Sequence, residues 1–133
     1  GELTPPLEGK FLDNVNPATG KVYSKVPDSR EADVKRAVNA ARKAFPAWSA
    51  LPPQERSAYL RKISDLITRN LETLALAETI DNGKPISVSK TVDIPRSAEN
   101  FSFFAEAILE FKGEEFDDRG KGRNIVHYSP VGV

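Results

Sequence analysis

The 133-residue sequence predicts a mostly helical segment, with short N-terminal strands and a C-terminal β-hairpin. Three observations carry that expectation. Apolar residues recur at helical spacing through the middle of the chain, a tight turn separates two partly alternating runs near the start, and a Gly120-x-Gly122 turn separates two more near the end. The length suits one ordinary domain of roughly 100–150 residues, so a second independent core is not expected.

Lys10-Phe11-Leu12 and Lys21 to Val26 read as strands around Asn16-Pro17-Ala18-Thr19-Gly20, where Pro17 presets one backbone angle and Gly20 accepts a positive one. Asp28 or Ser29 is placed to cap the next helix, whose stripe is Val34, Ala37, Val38, Ala41 and Phe45, and Pro46 is expected to end it. Pro52-Pro53-Gln54-Glu55 starts a second helix with Tyr59, Leu60, Ile63, Leu66 and Ile67 on one apolar stripe. A third, Leu71 to Ile80, is stopped by Asp81-Asn82-Gly83-Lys84-Pro85. A longer helix begins at Asp93-Ile94-Pro95, with Ala98, Phe101, Ala105 and Ile108 on its buried side. From Phe116 to Val133 the pattern is a hairpin, with Asp118 to Gly122 as the turn and Asn124 to Ser129 as the return strand. A lone two-stranded hairpin is marginally stable, so the pattern implies partner surface that the chain does not supply.

Nineteen basic residues balance nineteen acidic ones without a long like-charged run, which disfavours nucleic acid as a partner. No apolar run reaches the about 20 residues needed to cross a bilayer, and the start carries no signal-peptide apolar region, so a cytoplasmic location is the default expectation. Without cysteine there is no thiolate nucleophile, disulfide or zinc-thiolate site. Without methionine the chain is expected to be a processed, excised or incomplete piece, with Gly1 an added residue.

The chemical motifs are mostly negative. Gly83-Lys84 lacks the earlier glycine of a phosphate loop, which is Glu78 here, and Pro85 stands in place of its hydroxyl residue. Gly120-x-Gly122 lacks the third glycine and the following helix of a dinucleotide fingerprint. Asn100-Phe101-Ser102 matches a glycosylation triplet but falls inside a predicted helix. Glu114, Glu115, Asp117 and Asp118 are read as a solvated turn in preference to a cation site. His127 is read as a strand-face residue, and Trp48 with Phe45 as a core anchor beneath a helix end.

Taken in order, Asn16-Pro17-Ala18-Thr19-Gly20, Ala44-Phe45-Pro46-Ala47-Trp48, Arg56 with Leu60, Asp81-Asn82-Gly83-Lys84-Pro85 and the closing Pro130-Val131-Gly132-Val133 resemble the N-terminal part of the aldehyde dehydrogenase superfamily. That resemblance implies an α/β parent fold with an NAD(P)-binding domain, a catalytic domain and a small oligomerisation domain. Residues 1–112 would then be strands and helices of the cofactor-binding domain, and 113–133 an incomplete hairpin of the oligomerisation arm. It also implies NAD or NADP in the parent protein, with no cofactor expected for this segment alone and no catalytic residue within it. The expected partners are the remainder of the dehydrogenase and other subunits, in a homo-oligomer joined through residues 116–129.

A narrower likeness, in Asp93-Ile94-Pro95-Arg96-Ser97 and Asn100-Phe101-x-Phe103-Phe104-Ala105, is to the 2-aminomuconate and 2-hydroxymuconate semialdehyde dehydrogenase branch. It implies that Val92 and Arg96 face the substrate tunnel, where a guanidinium can grip a carboxylate with two hydrogen bonds. The alternative is that Arg96 is a solvated helix-start residue. The family resemblance further implies a structural monovalent cation at Asp81 and the Val15 carbonyl, against the simpler reading of Asp81 as a turn residue. The alternative for the whole chain is a non-catalytic truncated paralogue that binds or regulates full-length subunits through its hairpin edge.

Overall fold

The computed structural model describes residues 3–117, 119–120 and 122–132. In chain order come β1 (Phe11–Asn16), β2 (Lys21–Pro27), α1 (Glu31–Ser49), α2 (Pro53–Arg69), α3 (Leu71–Asn82), α4 (Ile86–Val88), a π-helical turn (Ser89–Asp93), α5 (Ile94–Glu110), β3 (Glu115–Asp117) and β4 (Arg123–Ile125). The expected helical segment with a strand pair at each end is what forms.

β1 and β2 pair antiparallel, from Phe11 opposite Pro27 to Asn16 opposite Lys21, with an irregularity between Asn14 and Val15. In the turn, the Gly20 amide donates to the Asn16 carbonyl at 2.8 Å and the Ala18 amide to Asn16 Oδ1 at 2.9 Å. Gly20 takes the left-handed angle the sequence reserves for it, φ 67°. β1 runs past the expected Leu12 because the ladder to β2 outweighs the weak local strand preference of Asp13, Asn14 and Asn16.

Three expectations for α1 are corrected. The N-cap position is Arg30, neither Asp28 nor Ser29, and the capping carboxylate is Asp33, which accepts the Arg30 amide at 3.0 Å and the Leu7 amide at 2.9 Å. Asp28 is drawn away by the Arg30 guanidinium at 2.7 Å. Pro46 lies inside the helix, which continues to Ser49. The ring removes one donor, but the Pro46 carbonyl still accepts the Ala50 amide at 3.3 Å and the Ser49 hydroxyl at 3.1 Å, so the last turn survives. Trp48 is not a core anchor: it is 43% exposed, and its ring leans on Tyr59 at 5.4 Å, tying the end of α1 to α2.

The best-packed contact is α2 against α5. Ala98 and Ala105 of α5 are buried opposite Ser57 and Ser64 of α2, and each pair is seven residues apart, two helical turns. Such small side chains let the backbones come close enough for the Ser57 hydroxyl to donate to the Ala105 carbonyl at 2.7 Å and the Ser64 hydroxyl to the Ala98 carbonyl at 2.8 Å. Phe101 and Ile108 are half-buried on the predicted face. The predicted α2 stripe divides: Leu60 and Ile67 share the inner face with the serines, whereas Tyr59, Ile63 and Leu66 are exposed.

α3 extends two residues past the expected Ile80 and ends at Gly83, φ 79°. The following segment is a further correction, because the chain is helical from Ile86 instead of Asp93. Pro95 has no N–H, and in a straight α-helix its ring would press on the carbonyl of Thr91. The wider turn before it removes that conflict, with the Ile94 amide donating five residues back to the Ser89 carbonyl. Ser89 itself is fully buried, its hydroxyl 3.1 Å from that of Thr79 on α3.

The terminal hairpin is shorter than expected. β4 stops at Ile125, so His127 lies beyond the ladder and not on a strand face. A two-stranded ladder with no third neighbour has little to extend it. Phe111 and Tyr128 meet edge to face at 5.2 Å, and Glu115 pairs with Arg123 across the strands. Within the acidic group Asp117 accepts the Gly120 amide at 3.1 Å; Asp118 and Lys121 of the predicted turn, like Gly1 and the closing Val133, lie outside the described residues.

Among the described residues the buried apolar side chains of this core are Ala75, Ala98 and Ala105, and α1 buries none. The accessible surface is 10562 Å². A sealed monomer of 14.6 kDa would show about 6,900 Å². The excess is apolar in large part: Val34 of α1, Ile63 and Leu66 of α2, Phe103 and Phe104 of α5, and Phe116 and Ile125 of the hairpin all face solvent.

Candidate functional site

Val92, in the π turn, and Arg96, in the first turn of α5, line one open depression of about 380 Å³ together with Thr91, Pro95, Glu99 and Asn100. The sequence-predicted pair is therefore brought together, on an exposed wall of the molecule. No carboxylate among the described residues forms an ion pair with Arg96, which is exposed. Glu99, about one helical turn on, borders the same depression.

Asp81, in the last turn of α3, is reached by the first hairpin. Its Oδ1 accepts the Tyr23 hydroxyl at 2.5 Å and the Asn14 amide at 3.1 Å, and Asn14 also donates to Tyr23 at 2.8 Å. The Tyr23 hydroxyl first, and then the Asn14 amide, hold the Asp81 carboxyl below the usual carboxylate range. Conversely, its bond to the carboxylate raises Tyr23 above an ordinary phenol. Val15 adjoins Asn14 at the strand irregularity and is exposed. Tyr23 and Asn14 are partners that sequence reasoning missed. Their only signal is polar side chains in a short hairpin, which local pattern does not assign to a distant helix end.

The contacts of Lys84 were also missed. Its Nζ lies 2.7 Å from Asp93 and 3.2 Å from Glu78, and these contacts, Asp93 foremost, raise its pKa. Asn82 donates to Glu78 at 2.6 Å and accepts the Lys84 amide at 2.9 Å, which closes the loop after α3. A Cβ on Gly83 would stand 2.9 Å from Pro17 Cγ. The Asn16–Gly20 turn and the Asp81–Pro85 loop are thus two halves of one joint.

Gly120 and Gly122 lie between β3 and β4, not at the start of a helix, so they cannot present amides and a helix N-terminus to a pyrophosphate. The geometry shows a structural joint around Asp81 and Lys84 and an exposed Arg96 in a separate depression.

A helical segment flanked by strand pairs leaves its apolar faces open and carries an exposed arginine on one wall. Residues 5–133 match the aldehyde dehydrogenase family, and the chain belongs to that family. It is 45% identical over 128 residues to the 2-aminomuconic semialdehyde dehydrogenase of Bos taurus, covering 92% of this chain and 26% of that protein. It is 42% identical over 118 residues to the 5-carboxymethyl-2-hydroxymuconate semialdehyde dehydrogenase of Escherichia coli, covering 89% and 25%. A mutant P. syringae indole-3-acetaldehyde dehydrogenase in complex with NAD+ and IAA superposes with a TM-score of 0.93 at 39% identity, over 98% of this chain and 27% of that one. The chain spans about a quarter of the length of these relatives. Among the described residues no helix is long and apolar enough to cross a membrane.

Proposed function

We propose that the chain is the N-terminal segment of an NAD(P)-dependent aldehyde dehydrogenase that oxidises a carboxylated semialdehyde to the acid, and that the segment is not catalytic alone. Residues 1–112 serve as scaffold of the cofactor-binding domain and one wall of the substrate tunnel. Residues 113–133 belong to the oligomerisation arm, and 116–129 join subunits. The observation that carries the substrate class is Arg96, exposed beside Val92 in one depression and without an acidic partner among the described residues. The names of the bovine and bacterial relatives, both semialdehydes of muconate type, support the same reading.

In the full-length dehydrogenase, Arg96→Ala is expected to raise KM for a carboxylated semialdehyde by about 10- to 100-fold, the equivalent of losing one charged hydrogen-bonded contact. KM for an uncharged aldehyde of similar size should stay within about twofold, since the neutral substrate loses only packing against the stem. Steady-state kinetics on both substrates decides it, and equal losses on both exclude the carboxylate clamp.

The Asp81 joint supports a second role, a structural monovalent cation held by Asp81 and the Val15 carbonyl. Asp81 Oδ1 is taken by Tyr23 and Asn14, so the ion would use Oδ2, and its remaining oxygen ligands must come from outside this chain. Crystals of the full-length protein soaked in rubidium salt should show an anomalous peak within coordination distance of Asp81 Oδ2. A water-like site with no anomalous signal removes the cation.

A further inference from the structure

The turn that presents Arg96 is clamped at both ends. At its start, fully buried Ser89 is hydrogen-bonded to Thr79 of α3 at 3.1 Å. At its end, Asp93 is held by Lys84 at 2.7 Å, and Lys84 is tethered in turn to Glu78 of α3 at 3.2 Å. Between these two clamps lies the π turn, which inserts one residue into the helical path. One inserted residue rotates everything after it by about 100° relative to the preceding helix. The direction in which Arg96 leaves the molecule, and whether it shares a wall with Val92, therefore depends on the expanded turn persisting. Pro95 disfavours the straight alternative on one side, but a proline does not by itself choose which neighbouring residue bulges.

We propose that Lys84 is a positioning residue for substrate recognition: its ion pair with Asp93 locks the Ser89–Asp93 π turn against α3 and so aims the Arg96 guanidinium into the depression it shares with Val92. This rests on the reading of Arg96 as the carboxylate contact. Lys84 touches no substrate in this arrangement, because it lies on the α3 side of the turn and does not line the Arg96 depression. Its ionic state is secure at neutral pH, since both carboxylates raise its pKa. The two pairs are partly shielded, with Lys84 and Asp93 side chains 31% and 29% exposed, so the lock is sturdier than a surface salt bridge.

The test uses the full-length dehydrogenase and four variants: Lys84→Met, which keeps the stem and removes the charge, Lys84→Arg, Arg96→Ala and the Lys84→Met/Arg96→Ala double. Lys84→Met should raise KM for a carboxylated semialdehyde by about tenfold, as expected for a displaced contact. KM and kcat for an uncharged aldehyde should change less than about twofold, and Lys84→Arg should restore most of the loss. In the Arg96→Ala background Lys84→Met should add nothing, because the residue it aims is gone. If Arg96→Ala discriminates between the substrates and Lys84→Met does not, or if the losses from both variants simply add, positioning is overturned while the carboxylate contact stands. If Arg96→Ala fails to discriminate, the contact reading falls and the positioning role falls with it. Loss of folding in Lys84→Met, seen as equal loss on both substrates, with Lys84→Arg behaving as the parent on both, assigns Lys84 to stability alone and also overturns the proposal.

Discussion

Ala105→Leu is expected to destabilise the α2–α5 pair by about 1–3 kcal/mol, the usual cost of forcing extra methylenes into a filled site. Ala105 is 0% exposed, and its carbonyl accepts the Ser57 hydroxyl at 2.7 Å, so the two backbones have no slack to receive a larger side chain. A branched side chain there must separate the helices, which stretches that bond and the Ser64–Ala98 bond two turns away. The midpoint of denaturant unfolding of the full-length protein, followed by far-ultraviolet circular dichroism, measures the effect. Ser57→Ala removes only the hydroxyl and should cost about 1 kcal/mol, the net worth of one hydrogen bond. If Ala105→Leu proves as mild as Ser57→Ala, the contact is looser than its geometry and the helices have room to adjust.

The order of elements was legible because its determinants are local. Gly20 and Gly83 both take positive φ where turns were expected, and Ala98, Phe101, Ala105 and Ile108 do form the inner side of α5. What failed was mostly decided at a distance. Pro46 looked like a stop, but near the end of a helix the loss of one donor is tolerated and the helix continues to Ser49. The π turn is invisible to a 3.6-residue period, since it arises from Pro95 downstream together with Ser89 buried against α3. Tyr59, Leu60, Ile63, Leu66 and Ile67 read as one stripe, yet only part of it meets α5, because periodicity reports which side chains are apolar and not which of them this chain can cover. The same limit applies to Trp48 and to the whole of α1.

At the candidate site the asymmetry is similar. Arg96 and Val92 could be placed on one wall from family resemblance, whereas the partners that hold the surrounding joint could not. Tyr23 reaches Asp81 across 58 positions of sequence, and Asn14 reaches it across 67. Lys84 was legible as part of the loop that stops α3, but not its ion pairs, which depend on Glu78 and Asp93 converging from either side of a helix break.

The second large effect concerns the uncovered surface. Burying apolar area is worth about 25 cal/mol per Å², so the faces left open on α1, on the outer side of α2 and on the terminal hairpin contribute little to folding until something lies on them. Regions with few buried contacts open locally at little cost, while closely packed pairs such as α2–α5 resist opening. Amide hydrogen exchange, run on the 133-residue polypeptide and on the same residues within the full-length dehydrogenase, reads this directly. In the isolated polypeptide the amides of α1 and of residues 113–132 should exchange almost as freely as an unfolded chain, with those of α2 and α5 slowest; within the full-length protein α1 and the hairpin should become strongly protected. Equal and strong protection of α1 and the hairpin in both samples would show that this chain seals its own interior, and would contradict the view that its apolar faces are made to be covered by the rest of a dehydrogenase.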